Sequence, residues 1–149
     1  MSLRTFASLG VVLCLAAGAS AHAQQPRTYI DGKTPESTGS PFSGAVLVNN
    51  TLYISGQLGA GANRKPETAE LEAAAVLDAV KGVLTKAGMT MDDLVTVTVF
   101  CSDVDNNYAP FNTVYRKYFT KEFPARAFIG SGPLLFGARF EVQGIAVKR

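Results

Sequence analysis

Two charged residues stand where the sequence otherwise builds for burial. The closing stretch FPARAFIGSGPLLFGARFEVQGIAVKR, Phe123 to Arg149, reads as two short strands around a Gly/Pro loop. Arg126 lies among apolar residues of the first strand and Glu141 among those of the second. Two readings compete. In one, the charges form a structural ion pair, Arg126 with Glu141, or Glu141 with Arg139 two residues away on the same strand face. Such buried pairs contribute little net stability. In the other, the guanidinium and the carboxylate face a ligand. On the residues alone the two readings weigh the same.

The remaining inventory narrows the chemistry. The chain has 149 residues, with one histidine, His22, and two cysteines, Cys14 and Cys101. The opening MSLRTFASLGVVLCLAAGASAHAQQ has one positive charge, Arg4, then an apolar run from Phe6 to Ala17, then small residues ending in Ala21-His22-Ala23. That is the layout of a secretory signal peptide, residues 1–23, cleaved before Gln24. The run is too short for the roughly 18–20 apolar residues of a membrane span, and Val11-Val12-Leu13 before Cys14 does not resemble a lipobox. An exported, periplasmic protein without a membrane anchor is therefore expected. Cleavage removes His22 and Cys14. A Ser-His-Asp triad, a Cys-His pair and a histidine metal site are then excluded, and Cys101 has no internal disulfide partner.

Residues 24–149 suffice for one domain with a core. The whole chain carries 14 basic and 12 acidic side chains, one of the basic ones in the leader, with no basic block. Nucleic acid is a poor partner for such a surface.

These charges need elements to position them. Residues 24–39 read as a polar, irregular lead-in with room for an edge strand near Thr28–Ile30. The domain proper runs over 40–149. It opens with GAVLVNNTLYISGQ, a hairpin turning at Asn49-Asn50. The glycines of GQLGAGANRKPETAE form a flexible loop, since no Gly-Lys-Ser/Thr follows them. A helix is predicted from Pro66 to Ala87, ended by Gly88, with Ala73, Val76, Leu77, Val80, Leu84 and Ala87 as its buried stripe. Glu72, Asp78, Lys81 and Lys86 are expected on its solvated face.

DLVTVTVFCSD alternates as a strand, with Val95, Val97, Val99 and Cys101 on one face and Leu94, Thr96, Thr98 and Phe100 on the other. Cys101 is expected as a buried small residue. A second helix carries Phe111, Val114, Tyr115, Tyr118 and Phe119 on one side, an aromatic stripe that reads as core. The chain order is β-β-α-β-α-β-β, which predicts an α+β domain: a mixed sheet with both helices on one face. The other face interleaves threonines, Glu141 and Gln143 with apolar groups. It is too apolar to stay wet and too polar for a dry core, so packing against copies of the same chain is expected.

GSPFSGAVLVNNTLYISGQLG, VLDAVKGVLTKAG, VTVTVFCSDVDNNYAPFNTVYRKYF and FPARAF…FEVQGIAVKR together resemble the Rid (YjgF-type) family of enamine/imine deaminases, in colinear order from Gly39 to Arg149. The resemblance implies a chorismate-mutase-like sandwich assembled as a trimeric barrel, with sites between subunits. It also implies release of ammonia from 2-aminoacrylate and related 2-imino acids without metal or organic cofactor.

Carried over by position, Arg126 matches the arginine that clamps the substrate carboxylate, and its planar fork supplies paired hydrogen bonds that lysine does not. Glu141 matches the glutamate that positions the hydrolytic water. Ser55 and Gly56 match the Ser-Gly-Gln step that lines the site. Phe42 stands in place of a tyrosine. Phe128 stands in place of a smaller residue and is expected to narrow or reshape the pocket. The segment GSGPLLFGAR also departs from the family pattern. With the resemblance, the ligand-facing reading of Arg126 and Glu141 is favoured. The resulting reading is an exported, cofactor-free hydrolase of small 2-imino acids; the alternative is a non-catalytic protein of the same fold that binds small carboxylates or holds a partner.

Overall fold

The computed structural model describes residues 25–149, and the expected leader with its cleavage site lies outside them. The strands are β1 (Arg27–Ile30), β2 (Ala45–Val48), β3 (Thr51–Leu58), β4 (Leu94–Cys101), β5 (Ala125–Gly130) and β6 (Phe140–Val147). The helices are α1 (Ala69–Lys86), between β3 and β4, and α2 (Val104–Tyr115), between β4 and β5. One six-stranded sheet runs in the order β1-β2-β3-β6-β4-β5. β4 and β5 pair in parallel, and every other neighbouring pair is antiparallel. This is the mixed sheet that the chain order predicts, with β1 as the added edge strand.

Local chemistry sets the elements. The β2–β3 hairpin turns through Asn49 at φ 53°, a left-handed conformation that asparagine tolerates. α1 begins at Ala69, later than the expected Pro66, because Thr68 is the cap: its hydroxyl accepts the Leu71 N–H. The residues before it are held elsewhere, since the Arg139 guanidinium donates to the carbonyls of Pro66 and Glu67. α2 is capped by Asp103, which accepts from the Asn106 N–H, and its end tightens into a 3₁₀ turn over Arg116–Tyr118.

Both helices cover one face of the sheet. Val76, Leu77, Val80 and Leu84 of α1 and Phe111 of α2 form one core with Leu52, Ile54, Val97, Val99, Cys101, Phe140 and Val142. Each fully buried large side chain contributes about 1.5–3 kcal/mol. The open face carries Tyr53, Thr96, Thr98, Gln143 and Ile145 around a shallow depression, the mixture of polar and apolar groups expected there.

Two expectations need correction. Glu72 does not lie on the solvated face of α1; it is 1% exposed. Its carboxylate accepts the backbone N–H groups of Arg139 and Phe140 and pairs with the Arg139 guanidinium at 2.8 Å. In β4, strict alternation fails at the start. The pairing with β6 shifts register between Leu94 and Thr96, so Leu94 turns into the core and Val95 is exposed.

Candidate functional site

β5 is an edge strand, and its register fixes where Arg126 points. Arg126 lies opposite Val97 and Phe128 opposite Val99. Both valines belong to the core, so Arg126 and Phe128 face the helices. The guanidinium carbon stands 4.5 Å from the centroid of the Tyr115 ring, 5.6 Å from that of Phe128 and 6.0 Å from that of Phe111. Aromatic faces attract a cation, but they do not take its N–H protons. Arg126 Nη1 is buried with no hydrogen-bond partner, and so is the hydroxyl of Tyr115.

A buried charged donor without an acceptor costs more than the roughly 1–3 kcal/mol of a neutral one, which calls for an explanation such as a missing ligand. Both groups line one pocket of about 170 Å³ together with Asn112, Arg116, Phe123 and Pro124. Burial pushes the Tyr115 phenol up to about 12, with Arg126 opposing the rise, so the hydroxyl keeps its proton at physiological pH.

Glu141 lies elsewhere. It pairs in register with Phe100 of β4 and Leu58 of β3. Its chain neighbours Phe140 and Val142 are buried in the core, so the carboxylate projects from the open face. There it lies against Gly56, which sits with Ser55 in a bulge where β3 carries one residue more than β6 between Ile54 and Gln57. A β-carbon on Gly56 would collide with Glu141 Oε1, so this close approach requires glycine. The Ser55 hydroxyl donates to the Gly44 carbonyl at 2.8 Å, and the Gln57 amide donates to the Ser55 carbonyl.

The structure therefore puts Glu141 against Gly56, the neighbour of Ser55, on one face and places Arg126 and Phe128 on the other. Phe42 is an exposed ring in the loop between β1 and β2. Phe128 is not among the residues lining the Arg126 pocket; it packs edge-on against Tyr108 and Phe111, beside the guanidinium. No ion pair joins Arg126 to Glu141 or Glu141 to Arg139 among the described residues, and the cation that could have neutralised Glu141, Arg139, is committed to Glu72. That commitment also anchors the start of β6. Glu72 holds the N–H groups of the two residues immediately before Glu141.

A family model described as Endoribonuclease L-PSP matches residues 32–148. The chain is 40% identical over 125 residues to a goat protein named 2-iminobutanoate/2-iminopropanoate deaminase, covering 82% of this chain and 90% of the relative. The human protein of that name is 33% identical over 129 residues, with the same coverage. A solved structure of the conserved Rid protein family from Yersinia pestis superposes with a TM-score of 0.73 at 31% identity, covering 82% of this chain and 99% of the other. The chain belongs to the Rid family. The crystal structure of the YjgF gene product from E. coli, with a TM-score of 0.72 and 29% identity over 82% of this chain and all of the other, has the same fold.

In this Rid protein the pocket draws on Asn112 and Arg116, which no motif marks, and on Tyr115. The aromatic stripe of α2 places Tyr115 in the core, and its ring is indeed buried. What the stripe conceals is that the same ring supports Arg126 and points its hydroxyl at no partner. The spacing of Asn112, Tyr115 and Arg116, three and four residues apart, puts them on one helical face and was the available signal.

Proposed function

We propose that this Rid protein hydrolyses small 2-imino acids to 2-oxo acids and ammonia, without a cofactor and outside the cytoplasm. The observation that carries the reading is Arg126. A half-buried guanidinium with one nitrogen buried and unpartnered, beside an unsatisfied tyrosine hydroxyl in a small pocket, is a receptor for a carboxylate. The names borne by the goat and human relatives point to 2-imino acids as the bearers of that carboxylate.

The chemistry follows from the groups present. Arg126 grips the substrate carboxylate and fixes the adjacent C2. Glu141 holds a water molecule and takes its proton as the oxygen attacks C2 of the imine. The C2–N double bond becomes single, and the nitrogen gains the proton. Glu141 then carries the proton of the new C2 hydroxyl to the nitrogen; the C–N bond breaks as the C2 carbonyl forms, and ammonia leaves. One water is consumed for each ammonia released.

Within one chain Arg126 and Glu141 project from opposite faces of the sheet, so this division of labour requires a second copy. The half-polar open face, with Glu141 at its edge, supports assembly into a homotrimer in which Arg126 of one copy meets Glu141, Ser55 and Gly56 of the next. The leader supports export, which makes amine or amino-acid oxidation outside the cytoplasm the class of reaction that supplies imines. The Arg126 pocket is lined without Glu141, which favours binding without catalysis as the second reading.

The separating experiment is ammonia release from freshly generated 2-iminopropionate by the purified protein. The proposal expects release well above the spontaneous rate, abolished in Arg126→Ala. Tight binding of a stable 2-oxo acid with no acceleration would establish the binding-only reading instead.

A further inference from the structure

The pocket at Arg126 contains more positive charge than one carboxylate uses. Of its six lining residues two are arginines, Arg116 and Arg126, and none is acidic. Arg126 and the neutral Tyr115 hydroxyl supply the buried donors, both without partners. Arg116 forms the rim. It is exposed, and no ion pair engages it among the described residues, although Glu122 is close in sequence. Its place at the C-terminal end of α2 gives a cation a favourable helix dipole. That accounts for a positive charge at this turn but not for its share in the lining of the pocket. Asn112, one helical turn before Arg116, adds an uncharged amide to the same wall. Phe123 and Pro124 supply the apolar remainder, suited to a short methylene chain.

Resting on the reading of Arg126 as a carboxylate clamp, we propose that the preferred ligand is a dianion: a 2-imino or 2-oxo dicarboxylate of the kind derived from acidic amino acids. The 2-carboxylate sits on Arg126 and Tyr115, the methylene chain lies along Phe123 and Pro124, and the distal carboxylate meets Arg116 at the rim. A monocarboxylate of equal length fills the same space and leaves Arg116 in water. Guanidinium–carboxylate hydrogen bonds at the mouth of a pocket separate the two ligands by about tenfold in affinity.

The test is isothermal titration of the full protein with 2-oxoglutarate and with 2-oxopentanoate, which share five carbons and differ by one carboxylate. The ratio of the two dissociation constants is the readout, in wild type and in Arg116→Gln. The expected result is a preference of about tenfold for 2-oxoglutarate in wild type that falls to about one in Arg116→Gln. Equal affinities in wild type, or a preference unchanged in Arg116→Gln, overturn the proposal while leaving the clamp intact. If neither 2-oxo acid binds wild type, the clamp itself fails, and this inference with it. Circular dichroism of Arg116→Gln shows whether the fold is kept, which its exposed position leads one to expect.

Discussion

At Arg126 the proposed carboxylate clamp and the stability of the empty protein pull in opposite directions. The guanidinium is held among three aromatic rings, yet one of its nitrogens has nothing to donate to. A residue kept for stability would not be left in that state. Replacing Arg126 by Met, which keeps bulk and removes the charge, should raise the unfolding free energy of the unliganded protein, measured in urea, by about 1 kcal/mol while eliminating carboxylate binding. A structural role predicts the reverse sign, so equilibrium unfolding alone distinguishes them. Arg126→Lys should bind little better than Arg126→Ala, with affinity for a 2-oxo acid lowered roughly tenfold to a hundredfold, because the fork is lost. At Gly56 the prediction concerns geometry. Any side chain there displaces the Glu141 carboxylate, so Gly56→Ala should lower kcat by about tenfold or more with a smaller change in KM. Steady-state kinetics on an imine substrate measure that split.

At the scale of elements, the start of β6 depends on Glu72. Its two oxygens serve two backbone N–H groups and one guanidinium, and Arg139 in turn ties down the residues before α1. Glu72→Ala strands a partly buried cation and two donors together and should cost about 3–5 kcal/mol in urea unfolding. Glu72→Gln keeps an acceptor for the N–H groups and should lose less, on the order of 1–2 kcal/mol. This latch was not legible in the sequence. The partners are separated by 67 positions, and periodicity places Glu72 among polar neighbours without showing that Gly59 and β6 close over it. The stripe of α1, the hairpin at Asn49-Asn50 and the alternation of β4 were legible because each is local. Leu94 and Val95 escaped for the opposite reason: a bulge is defined by the partner strand, here β6.

At the scale of the whole molecule, the sequence conveyed that one sheet face was neither wet nor dry, and the structure places Tyr53, Thr96, Thr98, Gln143 and Ile145 there. The residues that resemblance singled out were legible by position. Their distribution over two faces was not, since it follows from the pairing of β5 with β4 and of β6 with β4. That distribution makes assembly part of the proposed chemistry. Light scattering of the processed protein should give a trimer of roughly 40 kDa, at about 13 kDa per domain of this length; a monodisperse monomer would leave Arg126 and Glu141 apart. The decisive measurement is complementation. Arg126→Ala and Glu141→Gln are purified separately, then unfolded and refolded together in equal amounts, and ammonia release from 2-iminopropionate is followed. Each variant alone should be inactive. Random reassembly leaves an intact Arg126 facing an intact Glu141 at about a quarter of all sites, pure trimers included, so about a quarter of wild-type activity should return. Mixed trimers that form but stay as inactive as either parent would contradict a site shared between copies.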